Sequence, residues 1–231
     1  MKRYTPQIRL PEIGETGQKK LLQSHILIVG CGALGSPIAM YLAGAGIGTI
    51  TIADFDTIEI TNLHRQVFYN EEEIGKKKTD LLQERIHSLN SDIKVYSSDK
   101  LVTRKWLETN GNRFDLIVDA ADNPATTYLL DDFCATNEIP LSTAGVSEWN
   151  AQIFFYYPGS IRYCDIFPKP TEENGILPCS IAGITGPVAA FAASLQSLDV
   201  IKYLARTNFE ERSRLVSADL LKGQIDIINC E

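Results

Sequence analysis

Three sets of residues, in a fixed order along the chain, have the types and spacing to do chemistry on a nucleotide. The first is the turn Gly30-x-Gly32-x-x-Gly35, which follows the apolar run Ile26 to Val29. Glycines there let the backbone turn tightly and approach a ligand closely, and the helix that follows points its positive end at an anion. The second is the carboxylate pair Asp54 and Asp56, at the end of the run Thr49 to Ala53. Asp54 lies about twenty residues after the turn, where a carboxylate accepts hydrogen bonds from ribose hydroxyls. The third comprises Asn62, Arg65, Gln66 and Lys78, with Asp122 further on after Leu116 to Val118. Arg65 offers forked donors to phosphate oxygens, Lys78 a point charge, and Asp122 a carboxylate able to hold Mg²⁺; Asn62 and Gln66 add neutral donors and acceptors. The glycine turn and Asp54 by themselves would also serve a nicotinamide dehydrogenase. Positive charge and a metal ligand suit a nucleoside triphosphate better, because hydride transfer needs neither.

Each residue also has a purely structural use. Asp54 could cap a turn, and Arg65 and Lys78 could be surface cations among 22 Lys and Arg residues. Asp122 could be the N-cap of a helix opening at Pro124, since Asp is favoured at that position and Pro just inside it. Lys76 and Lys77 read as solvated residues at a helix start, and His64 as a spacer.

The elements that must hold these residues alternate. Strand-like runs at Ile26 to Val29, Thr49 to Ala53, Ile93 to Ser97, Leu116 to Asp119 and Pro140 to Thr143 are separated by helical patterns. Those patterns fall at Leu34 to Ala45, Lys76 to Asn90, Thr103 to Thr109 and Ala125 to Asn137. The expected fold is therefore α/β, a Rossmann-like doubly wound, mostly parallel sheet. An antiparallel C-terminal part is added: an extended run at Ala151 to Tyr157, a buried helix at Gly186 to Ala205, and short strands near Arg214 to Ser217 and Gln224 to Ile228. A single domain over 1–231 is expected, with an N-terminal arm at 1–24 and a mobile crossover loop at 158–180 rich in proline.

A net charge of −7 argues against nucleic acid or an anionic membrane as the main partner, since both call for a basic surface. The five cysteines, Cys31, Cys134, Cys164, Cys179 and Cys230, form no Cys-x-x-Cys pair, which argues against a disulfide framework or a structural zinc site. No apolar segment follows the basic N-terminus, and no stretch approaches a membrane span of about 20 apolar residues. A cytoplasmic location is expected.

The same residues resemble the ThiF/MoeB/HesA group, bacterial relatives of ubiquitin-activating enzymes. The likeness rests on several separated motifs in order: Arg3-Tyr4, Leu10-Pro11 and Gly17-Gln18; the glycine turn; Asn62-Leu63-His64-Arg65-Gln66; Lys78; Asp122-Asn123; and Cys179 with Ala182-Gly183 and Gly186-Pro187. It implies an adenylyltransferase that uses ATP and Mg²⁺ to activate the C-terminal Gly-Gly carboxylate of a ubiquitin-like sulfur carrier. A ThiS-type carrier in thiamine biosynthesis is the first expectation. A MoaD-type carrier in molybdopterin biosynthesis, or a non-catalytic partner subunit, is the alternative. The resemblance gives Arg65, Lys78 and Asp122 catalytic roles, and it gives Gly30, Gly32, Gly35, Asp54, Asp56, Asn62 and Gln66 roles in holding the nucleotide. It makes Cys179, just before the glycine-rich helix, a thiol for sulfur transfer from a persulfide donor, against the alternative of an inert thiol. A homodimer is also implied.

Two departures stand out from the pattern of that group. Many relatives carry two Cys-x-x-Cys pairs that hold zinc; here the corresponding regions keep only Cys164 and Cys230, so no zinc is expected. Relatives often read Arg-Tyr-x-Arg-Gln at the start, the second arginine reaching a neighbour's ATP across a dimer. This chain has Pro6 in that place, with Arg9 close enough in sequence to be considered a substitute.

Overall fold

The strands that the alternation predicts form one eight-stranded sheet in a computed structural model that describes residues 1–169, 183–206 and 212–230. Strands β1 (His25–Val29), β2 (Thr49–Ala53), β3 (Lys94–Ser98), β4 (Leu116–Asp119) and β5 (Leu141–Ser147) run parallel in the order β3-β2-β1-β4-β5. Strands β6 (Asn150–Tyr156), β7 (Ser213–Asp219) and β8 (Gln224–Cys230) then continue antiparallel from β5. The chain order reverses between β1 and β4, and in doubly wound sheets ligands bind outside the carboxyl ends of the strands at such a switch. Gly30 follows β1 and Asp122 follows β4, so both stand at that place.

Alternate residues of the strands feed two cores. Ile26, Ile28, Ile50, Ile52, Leu116 and Val118 face helices α2 (Gly14–Gln23), α3 (Gly35–Ala45), α4 (Lys78–Leu89) and α8 (Gly186–Ala205). On the other face, Leu27, Val29, Ile117 and Leu141 meet α5 (Arg104–Asn110) and α6 (Pro124–Thr136). Burying each such side chain stabilises the fold by about 1.5–3 kcal/mol, so the layers are held by the strand alternation itself.

Residues 1–24 hold two α-helices joined by turns. Beyond a short helix α1 (Thr5–Ile8), α2 packs its buried Leu21 and Gln18 on the domain. Gln7 and Gln18 both donate to the Ala45 carbonyl at 3.0 Å, which satisfies an end of α3. This segment therefore covers the carboxyl end of α3, the end away from the glycine turn.

Helix α8 is long and apolar enough to cross a membrane, which the sequence reading did not expect. Its small residues instead pack against α2, α3, β5 and β6, and its buried Asp199 pairs with Arg214 of β7. It is a core helix of the sheet.

The described part of the crossover departs from a loose loop. Helix α7 (Tyr163–Ile166) follows Arg162, which bonds Asp131 and Asp132 of α6 at 2.7 and 2.6 Å. Lys169 reaches Asp132 at 2.5 Å, and the Tyr128 hydroxyl donates to the Phe167 and Pro168 carbonyls. These bonds fasten the opening of the crossover to α6.

Candidate functional site

Turn geometry at Gly30 to Gly35 demands glycine at two places. Gly30 has φ of +98°, and a Cβ on it would lie 2.5 Å from the Ala120 carbonyl oxygen. A Cβ on Gly35 would fall 1.8 Å from the Gly30 oxygen, so the start of α3 sits directly on the turn. Gly32 differs, because its Cβ would meet only the Gln66 side-chain amide, at 3.3 Å. Gly30 and Gly35 thus build the turn, whereas Gly32 keeps open the space beside Gln66.

Asp54 leaves β2 with both carboxylate oxygens engaged: one accepts the Cys31 amide at 2.6 Å, the other the Asp56 amide at 2.8 Å. It therefore does cap the turn, yet each oxygen retains a lone pair for a hydroxyl. Burial pushes the Asp54 carboxyl up, against the two amide bonds and the Lys78 charge. Cys31 is fully buried, and burial beside Asp54 raises its thiol well above the ordinary range, so it packs rather than reacts. The Tyr69 hydroxyl donates to the Cys31 carbonyl at 2.8 Å, a brace on the glycine turn that sequence reading did not find.

Lys78 opens α4 and is only 4% exposed. Its ammonium lies 3.0 Å from Asp56 Oδ2, and its backbone amide donates to the Asp56 carbonyl at 3.2 Å. Lys78 is thus not a surface cation. Lys77 is one: it is exposed and pairs with Asp99.

Asn62, Arg65 and Gln66 share one tight turn, in which the Arg65 and Gln66 amides both donate to the Asn62 carbonyl. The Asn62 side chain accepts from the Glu59 amide at 3.3 Å. Arg65 Nη1 donates to the Thr61 carbonyl at 3.0 Å and lies 2.8 Å from His64 Nε2. A Cβ on Gly186 would be 3.3 Å from Arg65 Cα, so the first turn of α8 abuts this loop. Gln66 is 4% exposed, and its carbonyl oxygen has no partner among the described residues. The Gln66 atom that faces the gap at Gly32 is the side-chain amide nitrogen, a donor that suits an acceptor on a ligand.

Asp122 is exposed and does not cap α6: the cap is Asn123, which accepts from the Thr126 amide at 2.9 Å. Its carboxylate is left at the sheet edge. Among the described residues no cluster of three or more metal-ligating side chains exists. Mg²⁺ at nucleotide sites is held by one or two carboxylates together with phosphates and water, so a lone Asp122 fits that group, and a preformed cage is not required.

The structure therefore brings together Gly30, Gly32, Gly35, Asp54, Asp56 and Lys78, with Gln66 against Gly32 and the Asp122 turn against Gly30. Asn62 and Arg65 join through Gln66. Cys179 lies outside the described residues. Arg9 lies close in sequence to Gln7, which sits at the far end of α3, about 16 Å of helix away from the glycine turn.

The family model described as the ThiF family matches residues 4–231. Among curated relatives, the adenylyltransferase and sulfurtransferase MOCS3 of Dictyostelium discoideum is 41% identical over 212 residues, covering 91% of this chain and 49% of that protein. The sulfur carrier protein ThiS adenylyltransferase of Escherichia coli (strain K12) is 36% identical over 203 residues, covering 88% of this chain and 81% of that protein. The chain thus spans about half the length of the MOCS3 proteins it matches. The crystal structure of E. coli MccB with ATP superposes with a TM-score of 0.80 at 27% identity, covering 93% of this chain and 65% of that one.

Proposed function

Because the chain belongs to the ThiF family, we propose that it is an ATP-dependent adenylyltransferase that activates the C-terminal Gly-Gly carboxylate of a ubiquitin-like sulfur carrier. The observation that carries this reading is the buried Lys78, held by Asp56 beside the Asp54 that closes the glycine turn. A buried ammonium at the start of α4, against Asp56 just past β2, has no use in hydride transfer and a direct one at a phosphate.

In this reading the Asp54 carboxylate accepts the ribose hydroxyls, and the Gln66 side-chain amide nitrogen beside Gly32 donates to a nucleotide oxygen. Gly32 leaves room for the chain of phosphates at the start of α3, whose N-terminal end favours negative charge. Lys78 and Arg65 neutralise the phosphates. Asp122 would hold Mg²⁺, which supplies further charge neutralisation when bound. The carrier carboxylate then attacks the α-phosphorus, an acyl-adenylate forms, and pyrophosphate leaves. Such a step depends on positioning and charge stabilisation, and the protein need supply no nucleophile.

Sulfur transfer follows as a separate half, for which Cys179 is the proposed thiol and a persulfide the proposed sulfur source. The protein is proposed to act as a cytoplasmic homodimer, in which Arg9 could serve only a neighbouring copy. A ThiS-type carrier in thiamine biosynthesis is the first reading. The test is to incubate the protein and MgATP with a ThiS-type or a MoaD-type carrier and to weigh each carrier by mass spectrometry. Adenylation of the ThiS-type carrier alone supports the thiamine reading. Adenylation of the MoaD-type carrier alone moves the protein to molybdopterin biosynthesis, and adenylation of neither points to a partner subunit.

A further inference from the structure

Asp119, the last residue of β4, is fully buried and takes no part in the chemistry described above. One of its carboxylate oxygens accepts the Ala121 amide at 3.1 Å. The other accepts two hydroxyls, from Thr127 in the first turns of α6 at 2.7 Å and from Thr143 of β5 at 2.8 Å. A single carboxylate thus joins β4, β5, α6 and the turn that carries Asp122. That turn is also the one against which the glycine turn is built: a Cβ on Gly30 would lie 2.5 Å from the Ala120 oxygen and 3.1 Å from the Ala121 nitrogen. Asn123 closes the far side of the turn by capping α6.

We propose that Asp119 is a positioning residue that sets the distance between the Asp122 carboxylate and the glycine turn, through its bond to the Ala121 amide and its two threonine donors. The inference rests on the reading of Asp122 as the magnesium ligand. The cost of holding a buried carboxylate is offset by three hydrogen bonds, and a neutral side chain could fill the same volume more cheaply. What a carboxylate adds here is three acceptor bonds, from three different elements, that fix one turn.

The test measures ATP binding by calorimetry with Mg²⁺ and with excess chelator, in wild type and in Asp119→Ala, Asp119→Asn and Asp122→Ala. Asp119→Ala is expected to weaken MgATP binding at least tenfold and to leave metal-free ATP binding within threefold of wild type. Asp119→Asn keeps an acceptor for the Ala121 amide but not one for both threonines, so it is expected to weaken MgATP binding by less than Asp119→Ala does; a loss as large as that of Asp119→Ala would contradict the role of the Ala121 bond. Equal losses with and without metal would reduce Asp119 to a structural residue, and no loss at all would overturn the inference. If Asp119→Ala does not fold, the double variant Thr127→Val and Thr143→Val is read in the same way. A loss of at least threefold confined to MgATP supports the inference, and unchanged MgATP binding contradicts it. Asp122→Ala separates the two claims. If it leaves the effect of magnesium intact, the metal reading of Asp122 falls and the inference with it. If it abolishes the effect and Asp119→Ala does not, the inference alone falls.

Discussion

The ammonium of Lys78 is buried 3.0 Å from Asp56 Oδ2, and the carboxylate side of this pair is half open to solvent. A buried cation whose partner faces outward is placed to exchange that partner for a phosphate. Removing the charge should therefore act on nucleotide binding. Lys78→Met is expected to raise the KM for MgATP at least tenfold, about 1.4 kcal/mol, in ATP–pyrophosphate exchange. An unchanged KM would make Lys78 a structural ion-pair residue only.

The glycines of the turn should separate by substitution. Gly35→Ala places a Cβ 1.8 Å from a backbone oxygen and should lower Tm by many degrees or prevent folding. Gly32→Ala meets only the flexible end of Gln66 at 3.3 Å, so it should fold while losing affinity for ATP. Thermal melts paired with ATP titrations check both, and a Gly32→Ala protein that binds ATP normally would remove Gly32 from the nucleotide site.

Acid should weaken the fold through the loop after the site. Burial raises the Glu73 carboxyl, but two bonds from Arg85 at 2.7 and 2.6 Å and one from the Asn70 amide outweigh it and hold it below the ordinary range. A carboxyl depressed in the folded state contributes stability above its unfolded value of about 4.3 and loses it as pH falls through the folded value. Urea unfolding from pH 7 to pH 3 should show this loss in wild type and a smaller one in Glu73→Gln. Identical pH dependence in both proteins would refute the assignment.

Cysteine reactivity gives an independent check on the crossover. The partly exposed Cys164 thiol is pushed up to about 11, first by burial and then by the Asp131 carboxylate beside it. Since the thiolate is the reactive form, Cys164 should alkylate slowly at pH 8. Mass-spectrometric mapping of iodoacetamide labelling would show this, and rapid labelling of Cys164 would mean that the Arg162–Asp131 fastening opens readily.

Much of this was legible in the residues, for physical reasons. Short, nearly continuous apolar runs separated by helical patterns marked β1, β2 and β4, because parallel strands covered by helices on both faces bury nearly every side chain. The glycine turn was legible through steric demands at Gly30 and Gly35 that only glycine meets. The N-terminal helices were not legible as such: α2 has a polar surface, and its packing depends on Gln7 and Gln18 bonding to the distant Ala45 carbonyl. Asp119 escaped notice because it reads as one more polar residue closing an apolar run, and its partners Thr127 and Thr143 come from separate elements. Asn123 displaced Asp122 as the cap of α6, a choice between two adjacent good capping residues that sequence does not make.

The central claim, adenylation of a carrier carboxylate at this site, is tested most directly by ATP–pyrophosphate exchange in the presence of Mg²⁺, using wild type and Asp122→Ala with carriers that end in Gly-Gly. The expected result is exchange in wild type that requires a carrier and that vanishes in Asp122→Ala. Tight MgATP binding without exchange for any carrier would contradict it.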